Sequence, residues 1–114
     1  MSNSQQMTDG YTKVVAFDGQ YKLCAVFRSI NEASSLTGAL RQSLIKAAYG
    51  EIISVNKRYW RAVPKDVEIE YDDLGSLSLF DFDDMCGVDR KIYATRDMRK
   101  GSAMLESEYL QLNH

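Results

Sequence analysis

The chain has 114 residues and a formal net charge of −2; 45% of its residues are hydrophobic and 26% are charged. This composition predicts an ordinary globular protein with its own core, and it excludes low-complexity and membrane-spanning classes because no apolar run approaches the roughly 20 residues that cross a bilayer. The polar start of the chain lacks a signal-peptide pattern, so we expect a cytoplasmic protein. Residues 1–64 hold eight basic and four acidic side chains, whereas residues 65–114 hold six basic and twelve acidic ones.

The first predicted elements are a flexible segment and a hairpin. Residues 1–12 are rich in Ser, Gln and Asn and predict a flexible N-terminal segment. The run KVVAF at 13–17 predicts a strand, Asp18-Gly19 a hairpin turn, and the alternating residues 21–27 the returning strand.

The segment SINEASSLTGALRQSLIKAAYG, residues 29–50, predicts two short helices joined by a tight turn. Ser29 and Glu32 have the spacing of a capping box, and Gly38 ends the first helix. Gly50 ends the second helix. The predicted buried stripes are Ile30, Ala33 and Leu36 in the first helix and Leu40, Leu44, Ala47 and Ala48 in the second.

Beyond Gly50, the segment EIISVNKRYWRAV predicts a strand at 52–55, a turn at Asn56-Lys57 and a second strand around Tyr59–Arg61 that Pro64 ends. Trp60 is expected to anchor the core, with stacking on a nucleic-acid base as the alternative.

These motifs together resemble a known family. The hairpin with Asp18-Gly19, the run FRSINEA at 27–33, the run RQSLIK at 41–46 and the run YWR at 59–61 are similar to the modular DNA-binding repeat that accompanies homing endonucleases. The similarity covers residues 14–61. This sequence departs from the repeat at Leu40, where family members usually place a serine cap before the recognition helix.

The resemblance implies a recognition helix at 39–49 that contacts double-stranded DNA. Arg41 and Gln42 would read base edges, because a guanidinium matches guanine and a primary amide matches adenine. Lys46 and Ser43 would contact phosphates. The alternative is an ordinary solvated helix face. The further residues expected to hold the DNA backbone are Arg28, Lys57, Arg58 and Arg61.

The second half repeats part of this pattern. SLFDFDDMCGVDR at 78–90 matches the spacing of SINEASSLTGALR at 29–41 with a constant offset of 49 residues. We therefore expect a degenerate second copy at 67–101, with the run SLSLFDF read as a strand being the alternative. A second helix of this copy would begin at Asp89 and carry four cations: Arg90, Lys91, Arg96 and Arg99.

A run of acids precedes and enters this copy: Asp66, Glu68, Glu70, Asp72, Asp73, Asp81, Asp83 and Asp84. A calcium loop starting at Asp81 is excluded, because Cys86 and Ile92 stand where such a loop needs glycine and glutamate. The sequence predicts no metal site, no cofactor and no catalytic residue. The acids are expected to repel DNA, to bind a basic protein or to cover the basic half in an inhibited state, and the alternative is a solvated strand edge.

The remaining predictions concern the cysteines and the C-terminus. Cys24 and Cys86 are expected to be buried thiols. Residues 102–112 predict an amphipathic helix whose stripe of Leu105, Tyr109 and Leu112 either closes the core or receives a second protomer.

The sequence thus predicts an α+β protein in which small antiparallel hairpins pack on short helix-turn-helix pairs, with a C-terminal amphipathic helix. Its expected organisation is a flexible segment at 1–12, a helix-turn-helix-like module at 13–64 and an acidic second module at 65–114. The expected function is that of a small, non-enzymatic nucleic-acid-binding protein of phage or mobile-element type. The alternative is a protein-interaction or structural subunit, for example a virion component, that binds through its acidic half.

Overall fold

The computed structural model describes residues 12–112, and within that range the chain is an α+β fold of four short α-helices and two small antiparallel sheets. The segment predicted to be flexible, residues 1–12, lies outside the described residues except for Thr12. No helix in the described part of the chain is long and apolar enough to cross a membrane.

The main sheet has three strands, with β1 (Val14–Phe17) between β2 (Leu23–Phe27) and β3 (Tyr59–Ala62). Both neighbours run antiparallel to β1. All four residues of β1 are buried, because both faces of the sheet are covered. Side chains alternate along a strand, so each face receives two of the four. We call the side with Ala16 the first face and the side with Phe17 the second face.

The hairpin between β1 and β2 turns at the predicted place, but its loop extends to Tyr21. The Tyr21 N–H donates to the Asp18 carbonyl over 2.9 Å, and Tyr21 has a φ of 67°, a left-handed conformation that usually requires glycine. Its hydroxyl donates to the Tyr93 carbonyl over 2.6 Å, and its ring packs on Phe80 at 4.9 Å between centroids. Contacts with the second half of the chain therefore hold this loop.

The predicted helix pair is present as α1 (Ile30–Thr37) and α2 (Arg41–Ala48). The Ser29 hydroxyl accepts from the Glu32 N–H over 3.1 Å, which satisfies a first-turn donor of α1. Gly38 ends α1 with a φ of 77°, which a residue without a Cβ adopts easily. Serine and glycine thus fix the start and the end of α1.

The helix pair covers the first face of the sheet, and Trp60 is fully buried there. The indole N–H donates to the Val55 carbonyl over 2.9 Å, so the expectation that Trp60 anchors the core is confirmed. The predicted burial of Leu36 and Leu40 is wrong: they are 70% and 74% exposed. Both flank the turn between the helices, where Ala39 is buried in their place.

The predicted strand at 52–55 is wrong. The N–H groups of Glu51 and Ile52 both donate to the Lys46 carbonyl, so the chain wraps around the end of α2 instead of extending. The turn at Asn56-Lys57 is confirmed: these residues have φ values of 53° and 60°, the pair of left-handed conformations found in tight hairpins.

The second face is covered by α3 (Leu79–Cys86), α4 (Glu106–Leu112) and a two-stranded sheet of β4 (Lys91–Tyr93) and β5 (Ala103–Leu105). Its core draws on both halves of the chain, so the two predicted modules share the central sheet. The buried residues of this core are Val15, Phe17, Leu23, Tyr59, Val63, Leu79, Phe82 and Ile92.

The predicted second copy is present only in its first helix. The Ser78 hydroxyl accepts from the Asp81 N–H over 3.0 Å, and Gly87 ends α3 with a φ of 73°, so the alternative that SLSLFDF forms a strand is wrong. The helix predicted from Asp89 is also wrong. The Asp89 carboxylate instead accepts from the N–H and the hydroxyl of Ser107, where it caps α4. The cations assigned to that helix lie in β4 or in the segments on either side of it: Arg90, Lys91, Arg96 and Arg99.

Two smaller predictions are corrected. The C-terminal helix begins at Glu106 and not at 102, because the preceding residues pair as β5 with β4. Of its predicted stripe, Tyr109 packs against the second-face core, whereas Leu112 is exposed. Cys24 is exposed on the edge strand β2, and Cys86 is partly buried, so the prediction of two buried thiols is wrong for Cys24.

Candidate nucleic-acid interface and buried ionic cluster

The outer face of α2 carries Arg41, Gln42 and Lys46, the residues predicted to contact DNA. Gln42 and Lys46 are exposed and one helical turn apart, on the side opposite the buried Leu44. Arg41 and the predicted phosphate donor Ser43 are partly exposed at the flanks. We refer to Arg41, Gln42 and Lys46 as the outer face of α2; it contains no acid.

The starts of α1 and α2 are connected through Arg41, whose Nε donates to the Asn31 side-chain oxygen over 2.7 Å. Arg28 lies two residues before α1 and pairs with Glu32 at 3.0 Å, with 87% of the arginine side chain exposed. The backbone N–H and the guanidinium of Arg28 hold the pKa of Glu32 below its usual value. Arg28 and Arg41 therefore lie near the same end of α1, with the charge of Arg28 partly balanced.

Lys57 and Arg58 lie at the opposite end of α1. Both are exposed at the tip of the second hairpin, and Arg58 borders a cavity together with Thr37, the last residue of α1. The eight residues of α1 span about 12 Å at the usual rise of an α-helix. Arg28 and Arg41 thus form one group of predicted DNA-binding cations, and Lys57 and Arg58 form a second group at the other end of this helix.

Arg61 does not belong to either group, and its predicted contact with DNA is wrong. It is 3% exposed on the second face of the sheet, where its Nε and Nη2 donate to the two carboxylate oxygens of Asp83 over 2.8 and 2.9 Å. Asp83 is 1% exposed, so it is also absent from any acidic docking surface. Alternation along β3 explains the burial, because Arg61 points away from Trp60 and into the other core.

Arg61 and Asp83 are part of an ionic cluster that also contains the buried Glu106 and the partly buried Arg90. The backbone N–H of Arg90 donates to Glu106 Oε2 over 3.0 Å, and the Arg90 guanidinium donates to the Ala48 carbonyl at the end of α2 over 3.3 Å. We use "ionic cluster" for these four residues. It joins β3, α3 and α4 to the end of the helix pair.

Glu106 is 4% exposed, and its Oε1 has no hydrogen-bond partner among the described residues. Burial, together with the neighbouring Asp83 carboxylate, raises the pKa of Glu106 to about 9. A neutral Glu106 carries a hydroxyl that is a donor toward Asp83, which accounts for the otherwise unsatisfied atom. The raised pKa of Glu106 therefore reduces the negative charge in the cluster.

The acidic segment is mostly accessible to a partner. Its turn of 3₁₀ helix at Tyr71–Asp73 carries an aromatic side chain that is 87% exposed, with Leu74 also exposed beside it. Apart from the buried Asp83, the acids predicted to form a docking surface are exposed or partly exposed: Asp66, Glu68, Glu70, Asp72, Asp73, Asp81 and Asp84.

Sequence reasoning missed the ionic cluster, although one signal was available. Arg61 lies in a strand that pairs with the wholly apolar β1, and a charged residue in such a strand must be buried with a partner or lie at an edge. Nothing in the local sequence identifies Asp83 as that partner, because 22 residues separate the two.

Known proteins supply no analogy for these sites. No protein family, no curated protein and no solved structure was found to match the chain. Among the described residues, no group of three or more His, Cys, Asp or Glu side chains is arranged to hold a metal ion.

Proposed function

We propose that the protein is a small, non-enzymatic nucleic-acid-binding protein that contacts double-stranded DNA through the outer face of α2. The observation that carries this proposal is the exposure of Gln42 and Lys46 on the side of α2 opposite its buried stripe. An amide and a cation one turn apart on an exposed helix face are suited to base edges and phosphates. Such a role would place the protein in the cytoplasm.

The first turn of α2 adds support. Leu40 precedes the helix and has no side-chain oxygen, so no side chain at that position caps the first N–H groups. Backbone N–H groups at a helix start attract phosphate, and Arg41 is the first residue of the same turn. These N–H groups would be available to a phosphate of the duplex, although the serine cap typical of the repeat is absent at this position.

The two groups of cations at the ends of α1 would fix the helix on the duplex. Arg28 lies at one end, and Lys57 and Arg58 lie at the other. Contacts with phosphates position a protein without reading sequence. The resemblance of residues 14–61 to the repeat of homing endonucleases agrees with this arrangement and supports a phage or mobile-element origin.

The test is fluorescence anisotropy of a short labelled duplex, at two salt concentrations, with the full chain and with Arg41→Ala plus Lys46→Ala. We expect binding that weakens as salt rises and a salt slope lower by about one in the double variant, because the lost phosphate contact of Lys46 removes about one counterion; the lost base contact of Arg41 should weaken the affinity at both salt concentrations. Lys91→Ala plus Lys100→Ala is the matched control, since it removes two exposed cations from the second half of the chain. Equal losses in both double variants, or no binding at low salt, would refute the proposal.

A basic protein is the second candidate partner, and the exposed Tyr71 favours it. An aromatic side chain surrounded by Glu70, Asp72 and Asp73 offers both an anchor and charge complementarity. Anisotropy of a labelled lysine-rich peptide, with Tyr71→Ala as the variant, distinguishes the two functions. Binding that requires Tyr71 and is unaffected by Arg41→Ala plus Lys46→Ala would favour the protein-interaction function.

A further inference from the structure

A cavity of about 340 Å³ lies between the last turn of α2, the end of β3 and α3. Its walls are mainly apolar and include Ala62, Val63, Phe82 and Val88. Concave apolar sites of this size with a few polar groups are typical of small-molecule binding. The ionic cluster borders this cavity through Arg61, Asp83 and Arg90.

The charged side chains at the cavity differ in how many of their hydrogen-bonding groups already have a partner. Arg61 and Asp83 bind each other through two hydrogen bonds and leave little capacity for a ligand. Arg90 is different, because no carboxylate of residues 12–112 forms an ion pair with its guanidinium. Its two hydrogen bonds both go to the Ala48 carbonyl, which leaves three of the five guanidinium N–H groups for another acceptor.

Arg90 is partly buried at the edge of the cavity, a position that favours an accompanying anion. Burial, with a smaller contribution from the neighbouring Arg61, lowers the pKa of Arg90. The nearby Asp83 carboxylate opposes this shift but pairs with Arg61, and a bound anion would add charge-assisted hydrogen bonds to the partly buried guanidinium of Arg90. The contact with α2 has its own structural role, because a cation stabilises the end of a helix, but one carbonyl does not neutralise the charge.

The geometry points to this cavity as a binding site for a small organic carboxylate with an apolar body. Its carboxylate would pair with Arg90, and its apolar part would contact the walls formed by Ala62, Val63 and Phe82. Lys65, which also lines the cavity, adds a second cation to it. The apolar walls disfavour a compact, strongly hydrated anion such as phosphate. This site is independent of nucleic-acid binding, and its test uses no nucleic acid.

The test is isothermal titration calorimetry of the full chain with cinnamate, cinnamyl alcohol and inorganic phosphate. Cinnamate and its alcohol share the apolar body and differ in charge. We expect one-to-one binding of cinnamate, with the alcohol and phosphate each weaker by about tenfold or more, because a charge-assisted hydrogen bond contributes about that factor. Equal affinity for cinnamate and the alcohol, preference for phosphate, or no cinnamate binding at millimolar concentration would each overturn the inference.

Two variants locate the site. Arg90→Gln should weaken cinnamate about tenfold and leave the alcohol unchanged, whereas Lys91→Gln removes the adjacent exposed cation and should change neither. Because Arg90→Gln also loosens the contact with Ala48, Val88→Trp serves as the second variant. It fills the cavity from the exposed side while all four residues of the ionic cluster keep their side chains, and it should abolish binding of both compounds. Unchanged cinnamate binding in Val88→Trp would exclude this cavity.

Discussion

The two helices α1 and α3 begin and end in the same way, yet different structures follow them. Serine caps each start, and a left-handed glycine ends each helix, at positions 49 residues apart. After Gly38 the chain forms a second helix, whereas after Gly87 it extends into β4. The pairing of Arg90 with Glu106 through both backbone and side chain explains the extension. Local signals thus set the helix ends, and distant contacts decide what comes next.

The two sides of the sheet also differ in their interior chemistry. The offset of 49 residues places Ser34 of α1 opposite Asp83 of α3 in the alignment. Ser34 makes a local hydrogen bond from its hydroxyl to the Ala39 carbonyl over 2.6 Å. Asp83 instead pairs with Arg61 across to β3. The first face is therefore an apolar core with short-range polar contacts, and the second face depends on a buried charge network.

The largest effect expected from this difference is that of Asp83→Ala. Removing the carboxylate leaves Arg61 charged and unpaired in the core, and the free energy of unfolding should fall by about 3–5 kcal/mol. Ser34→Ala, at the aligned position of the first face, should cost about 1 kcal/mol because it removes one neutral hydrogen bond. Urea denaturation monitored by the fluorescence of the buried Trp60 measures both changes.

A compensating variant checks the cause of this loss. Arg61→Met combined with Asp83→Leu removes both charges and should recover most of the stability lost in Asp83→Ala. If Asp83→Ala and Ser34→Ala cost the same, the ion pair contributes no more than a local hydrogen bond, and the contrast between the faces disappears.

The buried carboxyl of Glu106 should also make the free energy of unfolding depend on pH. The raised pKa means that the folded protein holds a proton that the unfolded chain releases above its ordinary pKa of 4.5. The stabilisation is complete below pH 4.5 and is lost as pH rises toward 9, so the free energy of unfolding should fall steadily between pH 5 and pH 8. Urea titrations at pH 5, 6.5 and 8 measure this slope; the window lies below the ordinary pKa of cysteine and tyrosine.

Glu106→Gln is the matched variant, because its amide reproduces a neutral carboxyl with a donor toward Asp83 and an acceptor for the Arg90 N–H. We expect the variant to be at least as stable as the parent at pH 8, with a flatter dependence across the window. Parallel curves for parent and variant would show that Glu106 is not the group that titrates.

The parts of the fold that the sequence predicted are those with local causes. The capped starts of α1 and α3, the turn at Asn56-Lys57 and the α+β class follow from residues close together in the chain. The strand at 52–55 and the helix from Asp89 failed because hydrogen bonds to Lys46 and Ser107 override the local preference. Such contacts depend on the tertiary arrangement and have no local pattern.

The candidate sites show the same distinction between residues whose placement follows from local sequence and residues whose placement depends on distant contacts. The outer face of α2 was predictable, because helical periodicity places Gln42 and Lys46 opposite Leu44. Arg61 was expected to contact the DNA backbone because it is a cation that flanks the recognition helix in sequence, whereas strand alternation turns its side chain into the second-face core. Arg90 was placed on a helix that does not exist, so its position at the cavity emerged only from the structure.

The smallest predicted effect concerns the two caps. Ser29→Ala and Ser78→Ala should each lower the free energy of unfolding by about 1 kcal/mol, because each removes the acceptor of one first-turn N–H. Urea denaturation of the two variants measures the change in the free energy of unfolding of each. Hydrogen exchange of the Glu32 and Asp81 amides should show the loss of protection confined to the altered helix.

Comparing the free energies of unfolding lost in Ser29→Ala and in Ser78→Ala shows whether α1 and α3 are stabilised in the same way. The start of α3 has a second support, since the Leu79 N–H donates to the Tyr21 carbonyl over 2.8 Å, while the Arg28 N–H donates to the Glu32 carboxylate at the start of α1. Equal losses in the free energy of unfolding would mean that the serine cap stabilises both helices to the same extent. A Ser78→Ala variant as stable as the parent would mean that the strained hairpin loop holds α3. In that case the repeated spacing would describe the sequence without describing how the two helices are stabilised.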